Sequence, residues 1–257
     1  MELLEAALLG ILQGLTEFLP VSSSGHLALA ARALDISGTQ LALVTWLHSA
    51  TLLAVVWVYR AELLRMLRGD RKLVALVAAG FLPTALIGLL ARPYVEAAFR
   101  SVLLVGICFL VTSAALVGGE WALARCESPR HTMPVRVALV VGVAQALALL
   151  PGVSRSGITI AAALLMGVSR PVAAHYSFLV AIPVIGGAFV VELPELFEQG
   201  LHGVSVASLS IGFVAAFASG FWALRWLLRV VPSRSLLPFA VYTALAGLVC
   251  LLLAATA

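Results

Sequence analysis

Leu19-Pro20-Val21-Ser22-Ser23-Ser24-Gly25-His26 interrupts an otherwise apolar segment, residues 3–34. Leu150-Pro151-Gly152-Val153-Ser154-Arg155-Ser156-Gly157 interrupts a second, residues 137–168. Pro, Gly and Ser in such runs end helices and make turns. Each half-segment is then too short to cross a bilayer, which takes about 20 helical residues. Irregular backbone at membrane depth must be buried in protein or line a wet cavity. Both segments therefore read as re-entrant helix–loop–helix hairpins, each entering and leaving on one side.

The remainder of the chain agrees with a membrane setting. Of 257 residues, 62% are apolar and 11% charged, with a mean hydropathy of +1.10. A soluble domain averages about 25% charged residues, and one this apolar could not cover its own surface. Disorder is excluded for the same reason. The net charge of +4 comes from fifteen Arg and Lys72, scattered between apolar runs. It suggests loops that set membrane orientation and gives no sign of a nucleic-acid partner. The start, Met1-Glu2-Leu3-Leu4-Glu5, lacks the basic region of a signal peptide. Cys108, Cys126 and Cys250 show no paired or metal-ligand spacing and read as small hydrophobes.

Six further runs are long enough to span: about 41–59, 73–91, 101–119, 171–191, 205–228 and 236–255. Pro83 and Pro183 predict local kinks in two of them. The interrupted segments resemble each other: Gln13 precedes Gly25 by twelve residues, and Gln145 precedes Gly157 by twelve. A spanning run with His and Ser follows each, with His48-Ser49 in the first and His175 and Ser177 in the second. The expectation is one membrane domain over 1–257, built of two repeats at about 1–121 and 135–257.

Charge orients the repeats. Linkers 60–72, 120–136 and 225–235 are basic, whereas 192–204 carries Glu192, Glu195 and Glu198 without Lys or Arg. Six spans and two hairpins place every strongly basic linker in the cytoplasm. Reading 137–168 as a full span would reverse the last two loops. The first hairpin then enters from outside and the second from inside. That is an inverted-topology repeat, whose site lies near the midplane where the broken helices meet. The predicted fold class is therefore all-α integral membrane, with six spanning helices plus two re-entrant hairpins.

Ionisable residues within a membrane mark functional sites by default. Here they gather in the two tips, with Glu17, Ser22, Ser23, Ser24, Gly25 and His26 in one and Ser154, Arg155, Ser156 and Gly157 in the other. Arg offers a planar charged fork that matches phosphate oxygens. Glycines allow close backbone approach, and the N-termini of the returning half-helices favour an anion. His26 can exchange a proton near neutral pH. Glu17 can hold a divalent metal, orient a water or act as a base. Together these are the parts of a phosphoryl-transfer or phosphate-hydrolysis site. Plainer readings stand beside this one. A Ser-rich tip also serves as a helix cap, and Glu17 and Arg155 could simply pair to lock the hairpins. His48 and His175, each inside a spanning run, read as structural hydrogen-bonders. Trp46, Trp57, Tyr59, Trp121, Trp222 and Trp226 fit interfacial belts.

Gln13-Gly14-Leu15-Thr16-Glu17 followed by Pro20-Val21-Ser22-Ser23-Ser24-Gly25-His26 resembles the first signature of the bacterial undecaprenyl-diphosphatase, or bacitracin-resistance, family. Pro151-Gly152-Val153-Ser154-Arg155-Ser156-Gly157 resembles the second. Leu82–Gly88, Met166–Arg170, Ser177–Leu179 and Leu237–Tyr242 add matches in order along the chain. The resemblance implies a multi-pass phosphatase of the bacterial cytoplasmic (inner) membrane that hydrolyses undecaprenyl diphosphate to the monophosphate and inorganic phosphate, recycling the lipid carrier for cell-wall synthesis. It implies an all-helical inverted repeat, a divalent cation (Mg or Ca) and a part in bacitracin resistance. The partners it implies are a polyprenyl diphosphate substrate and bilayer lipid, and a homodimer stays open.

Carried onto this chain, the resemblance implies catalytic roles for Glu17, Ser23, His26 and Arg155, with Glu17 also the metal ligand. It implies substrate contacts from Gln13, Ser22, Ser24, Gly25, Ser154, Ser156, Gly157 and Thr159. Gln13 stands where the family more often has Glu, which weakens any two-carboxylate metal scheme. A transporter of polyprenyl phosphate lipids is the alternative, since inverted repeats with broken helices also build transporters. A proton-transfer group beside the serines favours the enzyme.

Overall fold

A computed structural model describes residues 3–33, 40–99, 101–199 and 204–256. The elements run α1 (Leu3–Phe18), α2 (Ser23–Ala33), α3 (Gln40–Val58), α4 (Arg60–Leu67), α5 (Arg71–Ala98), α6 (Val102–Ala124), α7 (Val135–Gln145), a 3-10 turn (Ala146–Leu149), α8 (Arg155–Leu165), α9 (Arg170–Gln199), α10 (Val206–Val230) and α11 (Leu237–Thr256). No strand occurs among the described residues. Five helices, α5, α6, α9, α10 and α11, are long and apolar enough to cross a membrane. Much of their apolar surface faces outward, including Leu82, Leu86, Leu90, Leu103, Val214, Leu245 and Leu252. An outward apolar surface is what lipid solvates and water does not.

Both interruptions appear where the sequence puts them. The first lies between α1 and α2, the second between α7 and α8. At 16 residues α1 is the longest of these four helices. At 1.5 Å per residue it covers roughly 24 Å, less than the hydrocarbon thickness. Ser22 and Ser154 cap the returning helices, their Oγ atoms accepting from Gly25 N at 3.3 Å and Gly157 N at 3.1 Å.

Three details differ from expectation. The 60–72 linker contains a helix, α4, and Asp70 then caps α5 by accepting from Leu73 N at 3.1 Å. The helix α9 continues through Gln199, so Glu192 is helical and accepts from Thr45 Oγ1 at 2.6 Å. The acidic stretch is thus largely helix end, and residues 200–203 of the expected loop lie outside the described residues. Likewise α5 runs through Pro93 to Ala98. At 28 and 30 residues, α5 and α9 exceed the roughly 20 that a span requires.

Packing places the interrupted helices in matching surroundings. The helix α1 lies on α10, α7 lies on α5, α3 meets both α9 and α10, and α6 pairs with α11. A Cβ on Gly10 would overlap the Gly212 carbonyl, and one on Gly142 would overlap the Gly80 carbonyl. The offset that takes Gln13 to Gln145 also takes Gly10 to Gly142 and Gly80 to Gly212. Backbones this close leave no room for a side chain, which is the usual basis of helix contact in lipid. The apolar core between the two halves gathers Phe18, Ile160, Leu164, Phe178, Val180 and Leu224, with Phe18 and Phe178 edge to face.

Candidate active site

The two breaks touch. Ser156 Oγ donates to the Leu19 carbonyl at 3.1 Å, and a Cβ on Gly25 would lie 2.9 Å from Gly152 Cα. Thr112 of α6 holds the second break, donating to the Gly152 carbonyl at 3.1 Å and accepting from Ser154 N at 2.9 Å. Gly152 takes φ +99°, a conformation open to glycine, and a side chain there would overlap the Val105 carbonyl. Ser22 takes φ +69°, unusual for a residue with a Cβ. Its counterpart Ser154 has φ −75°. The strain at Ser22 therefore belongs to the first tip alone.

Glu17, at the last turn of α1, is the hub of this polar cluster and is buried. Its Oε2 accepts from Ser23 Oγ at 2.6 Å and from Gln13 Nε2 at 3.1 Å. Its Oε1 accepts from Arg155 Nη2 at 2.8 Å. The expected Glu17–Arg155 pairing is thus real, and it joins α1 to α8. It does not exhaust the arginine. Arg155 is nearly buried, with 11% of its side chain exposed, and its Nη1 has no hydrogen-bond partner. A buried guanidinium nitrogen without an acceptor is unfavourable unless a ligand supplies one.

His26 turns elsewhere. Its ring donates from Nδ1 to the Ser22 carbonyl at 2.7 Å, since a carbonyl can only accept. Nε2 is then the nitrogen that exchanges a proton, and it sits 2.7 Å from Tyr242 Oη of α11. The two rings stack with centroids 5.6 Å apart, and Phe109 packs edge-on against the imidazole. Ser23 and His26 share one face of α2 at a spacing of three, so both belong to the same tip. Ser24 Oγ pairs with Ser22 Oγ at 3.3 Å, as Ser156 Oγ does with Ser154 Oγ at 3.3 Å. Thr159 is directed away. It bonds the Arg155 carbonyl at 2.7 Å and Ser177 Oγ of α9 at 2.6 Å. Gln145 also stands apart from the pocket, donating to Thr84 Oγ1 at 2.9 Å and to the Gly80 carbonyl at 3.3 Å.

Two neighbours were not placed in the site by the sequence reading. His48 Nε2 of α3 lies 3.6 Å from Glu17 Oε2. Tyr242 orients His26. An ionisable residue inside a spanning run was a usable signal for His48. For Tyr242 nothing in its local sequence points at a partner over two hundred residues away. His175, by contrast, faces Glu62 with Nε2 3.7 Å from Oε1.

The donor set does not fit a protein-held divalent cation. No group of three His, Cys, Asp or Glu able to hold a metal occurs among the described residues. Magnesium and calcium need several oxygens, usually from more than one carboxylate or from phosphate. Here Glu17 already accepts from three side chains, and position 13 supplies an amide that donates to it.

Fold and site together define a multi-pass helical membrane protein with a carboxylate–hydroxyl pair beside an arginine that has one unpartnered nitrogen. The chain belongs to the family described as bacitracin resistance protein BacA, which it matches over residues 6–249. It is 40% identical to the undecaprenyl-diphosphatase of Halothermothrix orenii over 257 residues, covering 99% of each chain. It is 36% identical to that of Methanobrevibacter smithii, covering 97% of this chain and 96% of the relative. To that of Carboxydothermus hydrogenoformans it is 38% identical, covering 98% and 97%.

Proposed function

We propose that this protein hydrolyses undecaprenyl diphosphate to undecaprenyl phosphate and inorganic phosphate. The 2.6 Å hydrogen bond from Ser23 Oγ to Glu17 Oε2 carries the reading. A hydroxyl bonded to a buried carboxylate is a nucleophile beside its base. The carboxylate is in turn oriented by Arg155. Relatives named for this reaction over nearly the full chain support it, and put hydrolysis ahead of lipid transport.

The chemistry follows from the positions. The terminal phosphate meets Arg155 Nη1, and the N-terminal amides of α2 and α8 add further donors. Ser23 Oγ attacks the terminal phosphorus and its proton passes to Glu17 Oε2. The bond from that phosphorus to the bridging oxygen breaks, and the lipid phosphate leaves with the bonding electrons. Water then attacks the phosphoserine, giving its proton to Nε2 of His26, which hands it on to the departing inorganic phosphate. Glu17 returns its proton to Ser23 Oγ as the bond from phosphorus to the serine oxygen breaks. Both residues are then reset, and the net change is one water consumed. No step requires a protein-bound cation. The lipid tail leaves sideways between helices into the bilayer, because the substrate is itself a membrane component.

In this proposal the chain is one membrane domain of two inverted repeats, about 1–121 and 135–257. It has six spans, with α1–α2 and α7–α8 as the re-entrant hairpins. The shared offset of Gly10 with Gly142 and of Gly80 with Gly212 supports the repeat. The bacterial inner membrane is the expected location. At the offset that aligns the tips, Glu17 corresponds to Leu149, Ser23 to Arg155 and His26 to Ile158. One tip thus carries nucleophile, base and acid, and the other carries the phosphate clamp.

Phosphate release by purified protein in detergent tests the assignment. Arg155→Ala and Ser23→Ala should each lose at least about a hundredfold in release, as when a preorganised charge stabiliser or a nucleophile is removed. Wild-type protein should yield an acid-stable phosphoserine on rapid quenching that Ser23→Ala does not. Full release by both variants would sink the reading.

A further inference from the structure

His48 lies on α3, outside both helix breaks, yet it addresses the same carboxylate oxygen as the nucleophile. Its Nε2 is 3.6 Å from Glu17 Oε2, the atom that accepts from Ser23 Oγ at 2.6 Å. Nearly one turn along α3, Thr51 Oγ1 lies 3.5 Å from Gln13 Nε2 and donates to the His48 carbonyl at 3.0 Å. This face of α3 therefore meets the last turns of α1 at two points. The imidazole is partly exposed, at 26%, while the Glu17 side chain is at 6%.

Arg155 faces two demands. Its Nη2 holds Glu17 Oε1, and its Nη1 has no partner in the protein. A bound terminal phosphate would draw the guanidinium with about −1.5 to −2 units of charge. Glu17 would then share its one arginine with a stronger anion. A buried carboxylate left short of positive charge is unfavourable, and it would shift away from its donors. Gln13 and Ser23 already donate to Oε2, and among the described residues contacting Glu17 the His48 imidazole is the remaining side-chain nitrogen beside that oxygen.

We propose that His48 is a positioning residue for this reaction, holding Glu17 Oε2 in line with Ser23 Oγ while Arg155 engages the phosphate. The proposal rests on the phosphatase reading above. His48 acts through Glu17 and does not touch the lipid. It should therefore govern how fast the bound diphosphate reacts, leaving its binding nearly unchanged.

The test compares His48→Gln, His48→Asn and His48→Leu in the full-length protein, by steady-state phosphate release from undecaprenyl diphosphate in detergent. Gln carries an amide donor at about the reach of Nε2, whereas Asn is polar but too short. His48→Gln should stay within a few-fold of wild-type kcat. His48→Asn and His48→Leu should lose roughly 10- to 100-fold in kcat, as when a reacting group is misplaced by about 1 Å, with KM within about threefold. Should His48→Leu fail to fold, the Gln and Asn pair decides. Wild-type kcat in His48→Asn overturns the proposal, as does a loss confined to KM, or equal losses in Gln and Asn. A wild-type protein that releases no phosphate overturns the phosphatase reading, and this proposal with it.

Discussion

At the scale of residues, the pocket is organised around one carboxylate. Glu17 takes hydrogen bonds from α1, α2 and α8 and faces a histidine of α3. The amide at position 13 sets the character of this arrangement. Gln13 Nε2 donates to Glu17, so the two side chains attract. A carboxylate at 13 would face Glu17 across the same gap, and two carboxylates that close must share a proton or recruit a cation. Gln13→Glu should therefore create a magnesium site, binding at least about tenfold more tightly than the wild-type protein does, given the added ligand charge. Magnesium titration of chelator-stripped wild type and variant checks this, with calorimetric binding as the readout free of turnover. Identical curves would mean that position 13 does not reach a cation. The residue types of the site were readable from the sequence because polar groups are costly in lipid and stand out there. Which of them meet was not readable. His26 was expected beside the serines, and its ring is held there by Tyr242 and the Ser22 carbonyl, of which Tyr242 was not foreseen. His48 was read as structural, and only the packing of α3 against α1 brings it to the carboxylate.

At the scale of elements, close helix crossings fix where the broken helices lie. Gly142 of α7 meets the Gly80 carbonyl of α5, and Thr84 Oγ1 donates to the Gly142 carbonyl at 2.8 Å. Gln145 Nε2 closes the same contact on Gly80. Lipid offers no hydrophobic drive to push helices together, so contact distance and these polar links hold α7 in place. Gly142→Val must separate the two backbones, an overpacking change of about 1–3 kcal/mol. It should lower the thermal midpoint in detergent and reduce phosphate release, since α8 and Arg155 follow α7. Gly118→Ala is the control: a Cβ there meets nothing within 4 Å, and the helix gains propensity. It should leave midpoint and activity unchanged or raise the midpoint. A Gly142→Val protein as stable and active as wild type would show that α7 is placed by something other than this crossing. These elements were largely visible in advance. The six apolar runs and both interruptions follow from hydropathy and from Pro, Gly and Ser positions. The helix α4 and the extensions of α5 and α9 were not visible, because polar residues in a helix end look the same as a loop.

At the scale of the whole molecule, the proposed function depends on two tips meeting from opposite sides of a bilayer. The offset that superposes the tips aligns caps, glycines and the two glutamines, yet assigns different chemistry to the corresponding positions. A duplicated unit placed the same way up would set both tips at one face. The proposed inversion would bring them to the midplane, where the substrate diphosphate would be clamped by one and attacked by the other. The basic linkers carry this orientation in the sequence, and the charge argument gives each connection a side. Cys126 lies in the 120–136 linker and is partly exposed, whereas Cys108 and Cys250 are buried. Tyr94, 77% exposed near the end of α5, falls on the opposite side in the proposed topology. A membrane-impermeant thiol reagent added to intact spheroplasts should leave the native chain unlabelled and label Tyr94→Cys. After lysis, Cys126 should react in both. Labelling of Cys126 in intact spheroplasts, with Tyr94→Cys protected, would reverse the orientation and put the first tip on the cytoplasmic side. Labelling of both in intact spheroplasts would break the alternation itself and remove the inverted repeat that lets the two tips meet.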